Sequence, residues 1–210
     1  MCAESDGMAS VRLMLLVSLA ALLLCGVAFA RPYGPVRHNP ADKLVALPID
    51  DYHYDYAKRC RKHPMAGTLA LQSWLEKNWR GVSWGIMRCE KLGKHDYSLH
   101  AEGRAIDWHL DVHSAADRRA AKKLILTLLA TDKVGNPHAL ARRMGVQEII
   151  WNCRSWWAGA DRMDKYSYCY DKRGKRRKHL DETQAHRNHV HIGLNVAGAR
   201  KKTSFWKHPR

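Results

Sequence analysis

Two short segments of this chain carry side chains that could hold a metal ion. In the first, Ser98-Leu-His100-Ala-Glu-Gly103-Arg-Ala105-Ile-Asp107 runs on to Val112, and Ile106, Trp108, Leu110 and Val112 alternate with Asp107, His109 and Asp111. Such alternation marks a strand with one apolar and one polar face. Asp107 therefore projects away from the core, and Gly103 permits the turn that brings His100 back over the same face. In the second, His186-Arg-Asn-His189-Val-His191-Ile-Gly193 alternates Val190 and Ile192 with two histidines. On a strand, His189 and His191 point the same way with Cα atoms about 6.6 Å apart, within reach of one ion. Imidazole and carboxylate suit zinc, and a catalytic zinc takes three protein ligands with a fourth position left open. A lone histidine among 13 carries little weight; a constellation backed by two apolar alternations carries more. Alternation leaves open which of His189 and His191 binds, and whether His109 and Asp111 support the ligands or are merely solvated.

Ser98, His100, Gly103, Ala105 and Asp107 reproduce the S-x-H-x-x-G-x-A-x-D pattern of the D-Ala-D-Ala carboxypeptidase and dipeptidase family of zinc metallopeptidases. His189-Val-His191 resembles the second motif shared with lysostaphin-type endopeptidases, penicillin-insensitive murein endopeptidases and the hedgehog signalling domain. The resemblance spans about Val82 to Leu194. It implies zinc on His100, Asp107 and His191, and leaves His189, assisted by His186, for catalysis as base or oxyanion stabiliser. It also implies peptidoglycan stem or cross-link peptides as substrate; Ser98, Arg104, Trp156 and Trp157 are the candidate contacts, on a basic, tryptophan-rich rim that would suit an anionic wall. The chain departs from the D-Ala-D-Ala enzymes at Asn188, where they carry a Glu. Asp181 and Glu182 are the nearby carboxylates that a folded-back loop could supply. The alternative function is a non-catalytic zinc-containing protein that binds cell wall or another polyanion, since the hedgehog domain shows that this fold can host other roles.

The expected fold is α+β: a small antiparallel sheet carries the zinc site on one face, helices flank it, and two disulfides brace it. Leu69, Leu71, Trp74 and Leu75 suggest a helix over Gly67–Trp79, and Val82, Trp84 and Ile86 a short strand within Gly81–Arg88. Ser114 and Asp117 resemble a capping box opening a helix that buries Ala120, Leu124, Ile125 and Leu128. On that reading Arg118, Arg119, Lys122 and Lys123 form its solvated face. A second helix starts at Asn136-Pro137 and ends at Gly145, followed by a strand over Glu148–Trp151. Arg154 to Ala185 is a long polar stretch without a convincing helix or strand, and its run Lys172–Lys178 reads as a solvated tip.

Leu13 to Ala30 is almost wholly apolar, follows Arg12 and ends in Ala28-Phe29-Ala30, so residues 1–30 read as a secretory signal peptide. An uncleaved membrane anchor is the other reading; both export the remainder, making the protein secreted or wall-associated. Residues 31–59 read as an arm or linker without a core, and 60–210 as the metallopeptidase-like domain. Losing the leader leaves Cys60, Cys89, Cys153 and Cys169. In an oxidising compartment these are expected to pair Cys60 with Cys89 and Cys153 with Cys169. A four-cysteine metal site would call for C-x-x-C pairs, which are lacking. The leader carries Arg12 against Glu4 and Asp6, so its loss raises the net charge from +16 to +17. That charge favours peptidoglycan or another anionic wall polymer as partner. Nucleic acid is not expected outside the cell, and a membrane only if the leader stays.

Overall fold

The computed structural model describes residues 38–208 except His95. The leader read at 1–30 and the first residues of the arm lie outside that range. Among the described residues no helix is long and apolar enough to cross a membrane.

The architecture is α+β. Six strands, β1 (Val82–Gly85), β2 (Ala105–His109), β3 (Val146–Trp151), β4 (Arg154–Trp157), β5 (Asp164–Lys165) and β6 (His189–Leu194), form an antiparallel sheet in the order β1-β2-β6-β3-β4-β5. The last strand, β6, therefore lies between β2 and β3, and both candidate motifs meet at the sheet centre. Asp107 pairs directly with His191, Gly193 with Glu148, and Glu148 with Trp157. Since side chains alternate between faces, these registers set Asp107, His191, Glu148 and Trp157 on one face.

The other face is the core. Ile106, Trp108, Ile149, Trp156, Val190 and Ile192 are all fully buried. They pack with the helices α1 (Ala66–Asn78), α2 (Ala115–Leu129) and α3 (Ala139–Met144), through Leu71 and Leu75, Leu124 and Leu128, and Leu140 and Met144. Each such side chain contributes about 1.5–3 kcal/mol of burial. The Ser114 hydroxyl caps α2 by accepting from the Asp117 N–H. Arg118, Arg119, Lys122 and Lys123 are exposed on that helix. Two short helices, α4 (Val196–Ala199) and α5 (Ser204–Lys207), follow β6.

Both expected disulfides are present, Cys60–Cys89 and Cys153–Cys169, with Cα separations of 5.4 and 5.5 Å.

Two expectations need correction. The segment before Cys60 contributes to the core: Ala41 and Leu44 are buried, the Asn39 amide donates to the Thr131 carbonyl and Asp42 accepts from the Lys133 N–H. Its apolar residues follow no period, so periodicity could not see them. The stretch after Arg154 holds β4 and β5, joined to β3 through Asn152 and Cys153, both left-handed at φ 45° and 62°. A two-residue hairpin turn of this kind usually announces itself with Gly at its second position; here that position is Cys153, held by its disulfide and by its N–H on the Ala185 carbonyl. The short strand expected within Gly81–Arg88 is β1 at the sheet edge, where Val82 and Trp84 are exposed. A register shift between Ser83 and Gly85 carries the Trp84 ring over His109, stacked at 4.1 Å.

A candidate metal centre

His100 lies in a 3-10 turn, Leu99–Glu102, whose first N–H bonds are anchored by the Ser98 hydroxyl. Gly103 ends the turn with φ +66°, and a side chain there would press Met87 Sδ and Pro64 Cα at 2.8 Å. That reversal sets His100 over β2. Its Nε2 is 3.0 Å from Asp107 Oδ1 and 3.1 Å from His191 Nδ1, and His191 Nδ1 is 3.1 Å from the same Asp107 oxygen. All three side chains are buried.

The hydrogen bonds on the far sides of the rings decide what this triangle is. His100 Nδ1 faces the Ile86 carbonyl at 2.8 Å, and His191 Nε2 faces Glu148 Oε1 at 2.7 Å. Both partners only accept, so those nitrogens carry the hydrogens. His100 Nε2, Asp107 Oδ1 and, in the neutral ring, His191 Nδ1 then meet as three lone pairs. Converging acceptors need a cation between them, a proton or a metal ion. A tetrahedral site with bonds of about 2.0–2.1 Å spaces its donors about 3.3 Å apart, close to the edges seen here. His100, Asp107 and His191 can therefore bind a metal ion. In its absence a proton on His191 Nδ1 does the same work. Burial alone would lower His191, but hydrogen bonds and charges from Asp107 and Glu148 outweigh it and raise the ring to about 9. Burial holds His100 neutral. Asp107, which burial would raise, is kept far below the usual carboxylate range by its contacts with His100 and His191.

His189 and His186 stand beside the triangle. His189 Nδ1 donates to the Asn188 side-chain oxygen at 2.8 Å, leaving Nε2 as a lone pair 3.4 Å from Asp107 Oδ1. His186 Nδ1 donates to the Gln184 carbonyl at 3.0 Å, leaving its Nε2 free to accept. The two rings lie 4.7 Å apart. Burial lowers both, His189 to about 4 and His186 to about 2. Both are neutral bases at pH 7.

A cavity of about 740 Å³ opens over these groups, lined among others by Arg88, Ser98, Trp157, Tyr166, His186 and His189. Of the candidate substrate contacts, Ser98 and the partly exposed Trp157 thus line the cavity. Arg104 and Trp156 do not. Arg104 is fully buried, donating to Glu102 Oε2 and to the carbonyls of Leu194 and Asp55. Trp156 is in the core, its indole N–H on the Ala160 carbonyl. His109 donates to the Asn188 carbonyl, and Asp111 accepts from the His113 N–H; neither reaches the triangle. The upstream carboxylates also lie elsewhere: Glu182 pairs with Arg187 at 2.6 Å, and Asp181 accepts from the N–H groups of Thr183 and Gln184.

Sequence reasoning missed three residues. Arg88 donates to Asp107 Oδ2 at 2.7 Å, occupying the oxygen that the triangle does not use; nothing in its spacing singles it out. Glu148 receives His191 Nε2–H, and Tyr54 donates its hydroxyl to the other Glu148 oxygen at 2.6 Å. A carboxylate inside an otherwise apolar strand was the available signal, because buried charge requires partners.

The protein-family model described as VldE, C-terminal domain, matches residues 61–190, and the chain belongs to that family. The match includes His100, Asp107, His186 and His189. No curated protein and no solved structure matches the chain.

Proposed function

We propose that this member of the VldE C-terminal-domain family is a secreted zinc-dependent peptidase that hydrolyses stem or cross-link peptides of peptidoglycan. The observation that carries the reading is the triangle of converging donor atoms on His100, Asp107 and His191, flanked by two neutral histidines on the wall of a cavity. Two imidazoles and a carboxylate favour zinc. The motif resemblance to the D-Ala-D-Ala and murein peptidases supplies the substrate class. When bound, zinc supplies a Lewis acid for the scissile carbonyl and lowers the pKa of the attacking water.

The chain's own groups supply the rest. His189 Nε2 accepts the proton of the attacking water and, with its low basicity, returns it readily to the leaving amine. His186 Nε2 lies next to it as an assisting acceptor. Arg88 neutralises Asp107 and extends its half-exposed guanidinium along the cavity, where it meets negative charge developing on substrate. Trp157 and Ser98 line the approach. The two disulfides suit an oxidising compartment, and the basic surface suits an anionic wall.

One observation favours the alternative, a zinc-containing wall-binding protein without catalysis. Asn188 binds Thr183 and His189, Glu182 is paired with Arg187, and Glu148 uses both oxygens internally, so none of them is a free base beside the triangle. Mass spectrometry of isolated peptidoglycan, incubated with zinc-loaded, chelator-stripped and reloaded protein, separates the two. New peptide fragments that vanish on stripping and return with zinc are expected, and a His189→Ala variant that keeps its metal should lose about 10²–10⁴-fold in rate. Intact walls in every reaction, with one zinc bound per chain, would replace the peptidase by the binding protein.

A further inference from the structure

We infer that Tyr54 and Glu148 are positioning residues for the metal ligand His191, and that the segment preceding Cys60 is thereby part of the metal centre. The inference rests on the metal-binding reading of His100, Asp107 and His191.

Both oxygens of Glu148 are engaged within the protein. Oε1 accepts from His191 Nε2 at 2.7 Å, Oε2 accepts from the Tyr54 hydroxyl at 2.6 Å, and the residue is 6% exposed. It acts through His191. Its place is built by the sheet: Gly193 stands opposite it in register, and a side-chain carbon there would press Glu148 Cγ at 2.8 Å. Only glycine leaves room for the carboxylate to lie beneath the ligand.

Tyr54 is held as firmly. Its ring stands edge-on to Tyr56 at 5.0 Å and to Trp157 at 5.7 Å. The next residue anchors the segment four times: the Asp55 N–H donates to Gln147 Oε1, its carbonyl accepts from Arg104 Nη2 and Gln147 Nε2, and its carboxylate accepts from the Val196 N–H. Arg104 therefore fastens the segment that carries Tyr54. A carboxylate on the far nitrogen of a ligating imidazole fixes tautomer and ring orientation and strengthens the donor. The tyrosine hydroxyl ties down the second oxygen, so the carboxylate cannot turn away.

The test is cobalt(II) and zinc binding to the wild type, Tyr54→Phe, Glu148→Gln and the double variant, by competition with a chromophoric chelator, alongside the melting temperature of each metal-free protein. Tyr54→Phe keeps the ring contacts and removes one hydroxyl. The expected losses are roughly tenfold for Tyr54→Phe and roughly 10–100-fold for Glu148→Gln. The double variant should be little weaker than Glu148→Gln alone, and the visible spectrum of bound cobalt should shift in each. Affinities within about twofold of wild type, with or without a lowered melting temperature, would overturn the positioning role, as would losses that multiply in the double variant. A wild type that binds neither ion would overturn the metal reading itself. Should Glu148→Gln not fold, Tyr54→Phe decides alone.

Discussion

Metal binding should displace one proton and weaken as pH falls. In the metal-free protein His191 is raised to about 9 by its hydrogen bonds to Asp107 and Glu148, against the opposing effect of burial. His100 is lowered by burial, and Asp107 is held ionised by the two rings beside it. Only His191 therefore enters the binding reaction carrying a proton on a donor atom. Between pH 7 and pH 6, both below its pKa, the apparent association constant should fall about tenfold, or about 1.4 kcal/mol. Calorimetric titration of zinc in buffers of different ionisation enthalpy counts the proton, and chelator competition across about pH 5.5–7 gives the slope. Counted near pH 6, about one unit below the ionisation of a zinc-bound water, release of no proton would mean that His191 is neutral without metal, and release of two that His100 is charged; either result refutes the tautomer assignment. The stability of the metal-free protein should run the other way. A histidine raised above its unfolded value of about 6.5 contributes stability that is fully present below that value and lost as pH rises through the folded one. The metal-free melting temperature should thus decline towards pH 9 while metal affinity climbs.

Replacing Cys153 and Cys169 with serine opens a loop of 16 residues and should cost about 3 kcal/mol in denaturant unfolding. It should also slow hydrolysis, because Tyr166 and His186 on the cavity wall flank that bridge; unchanged stability would count against the bridge as a brace. Arg143 and Asp132 form a buried ion pair at 3.0 Å, so Arg143→Met should destabilise by about 3–5 kcal/mol through the stranded carboxylate. Asp132, which burial would raise, is depressed by bonds from Asn136 and Arg143. Its stabilisation is present above its unfolded pKa of about 3.9 and lost as pH falls through the lower folded value, and Arg143→Met should flatten that acid limb of a melting curve. Glutamine at Lys172, Arg173, Lys175, Arg176, Arg177 and Lys178, all exposed, should leave the melting temperature unchanged and reduce retention on isolated walls. Retention that is indifferent to both these changes and added salt would remove the electrostatic account of wall binding.

Much of the centre was legible because it lies on regular strands. Period-two alternation places Asp107 and His191 on solvent-side faces whatever the rest of the chain does, and the Gly103 turn after His100 is equally local. The pairing of the cysteines and the α+β class rest on similarly short-range or compositional signals. The functional neighbourhood was less accessible. Tyr54 reaches Glu148 across 94 residues, and Glu148 reaches His191 across 43; no window of sequence contains either bond. Arg104 and Trp156 carry the residue types of a binding rim, yet strand register turned one into an anchor for the Tyr54 segment and the other into core. The Asn152–Cys153 turn hid a hairpin because a disulfide and hydrogen bonds to the distant carbonyls of Ala185 and His186, rather than glycine, stabilise its left-handed residues. Local periodicity determined which way the ligands face. Whether their lone pairs meet, and which side chains hold them, was decided by the insertion of β6 between β2 and β3, a pairing between distant segments that only the folded chain specifies.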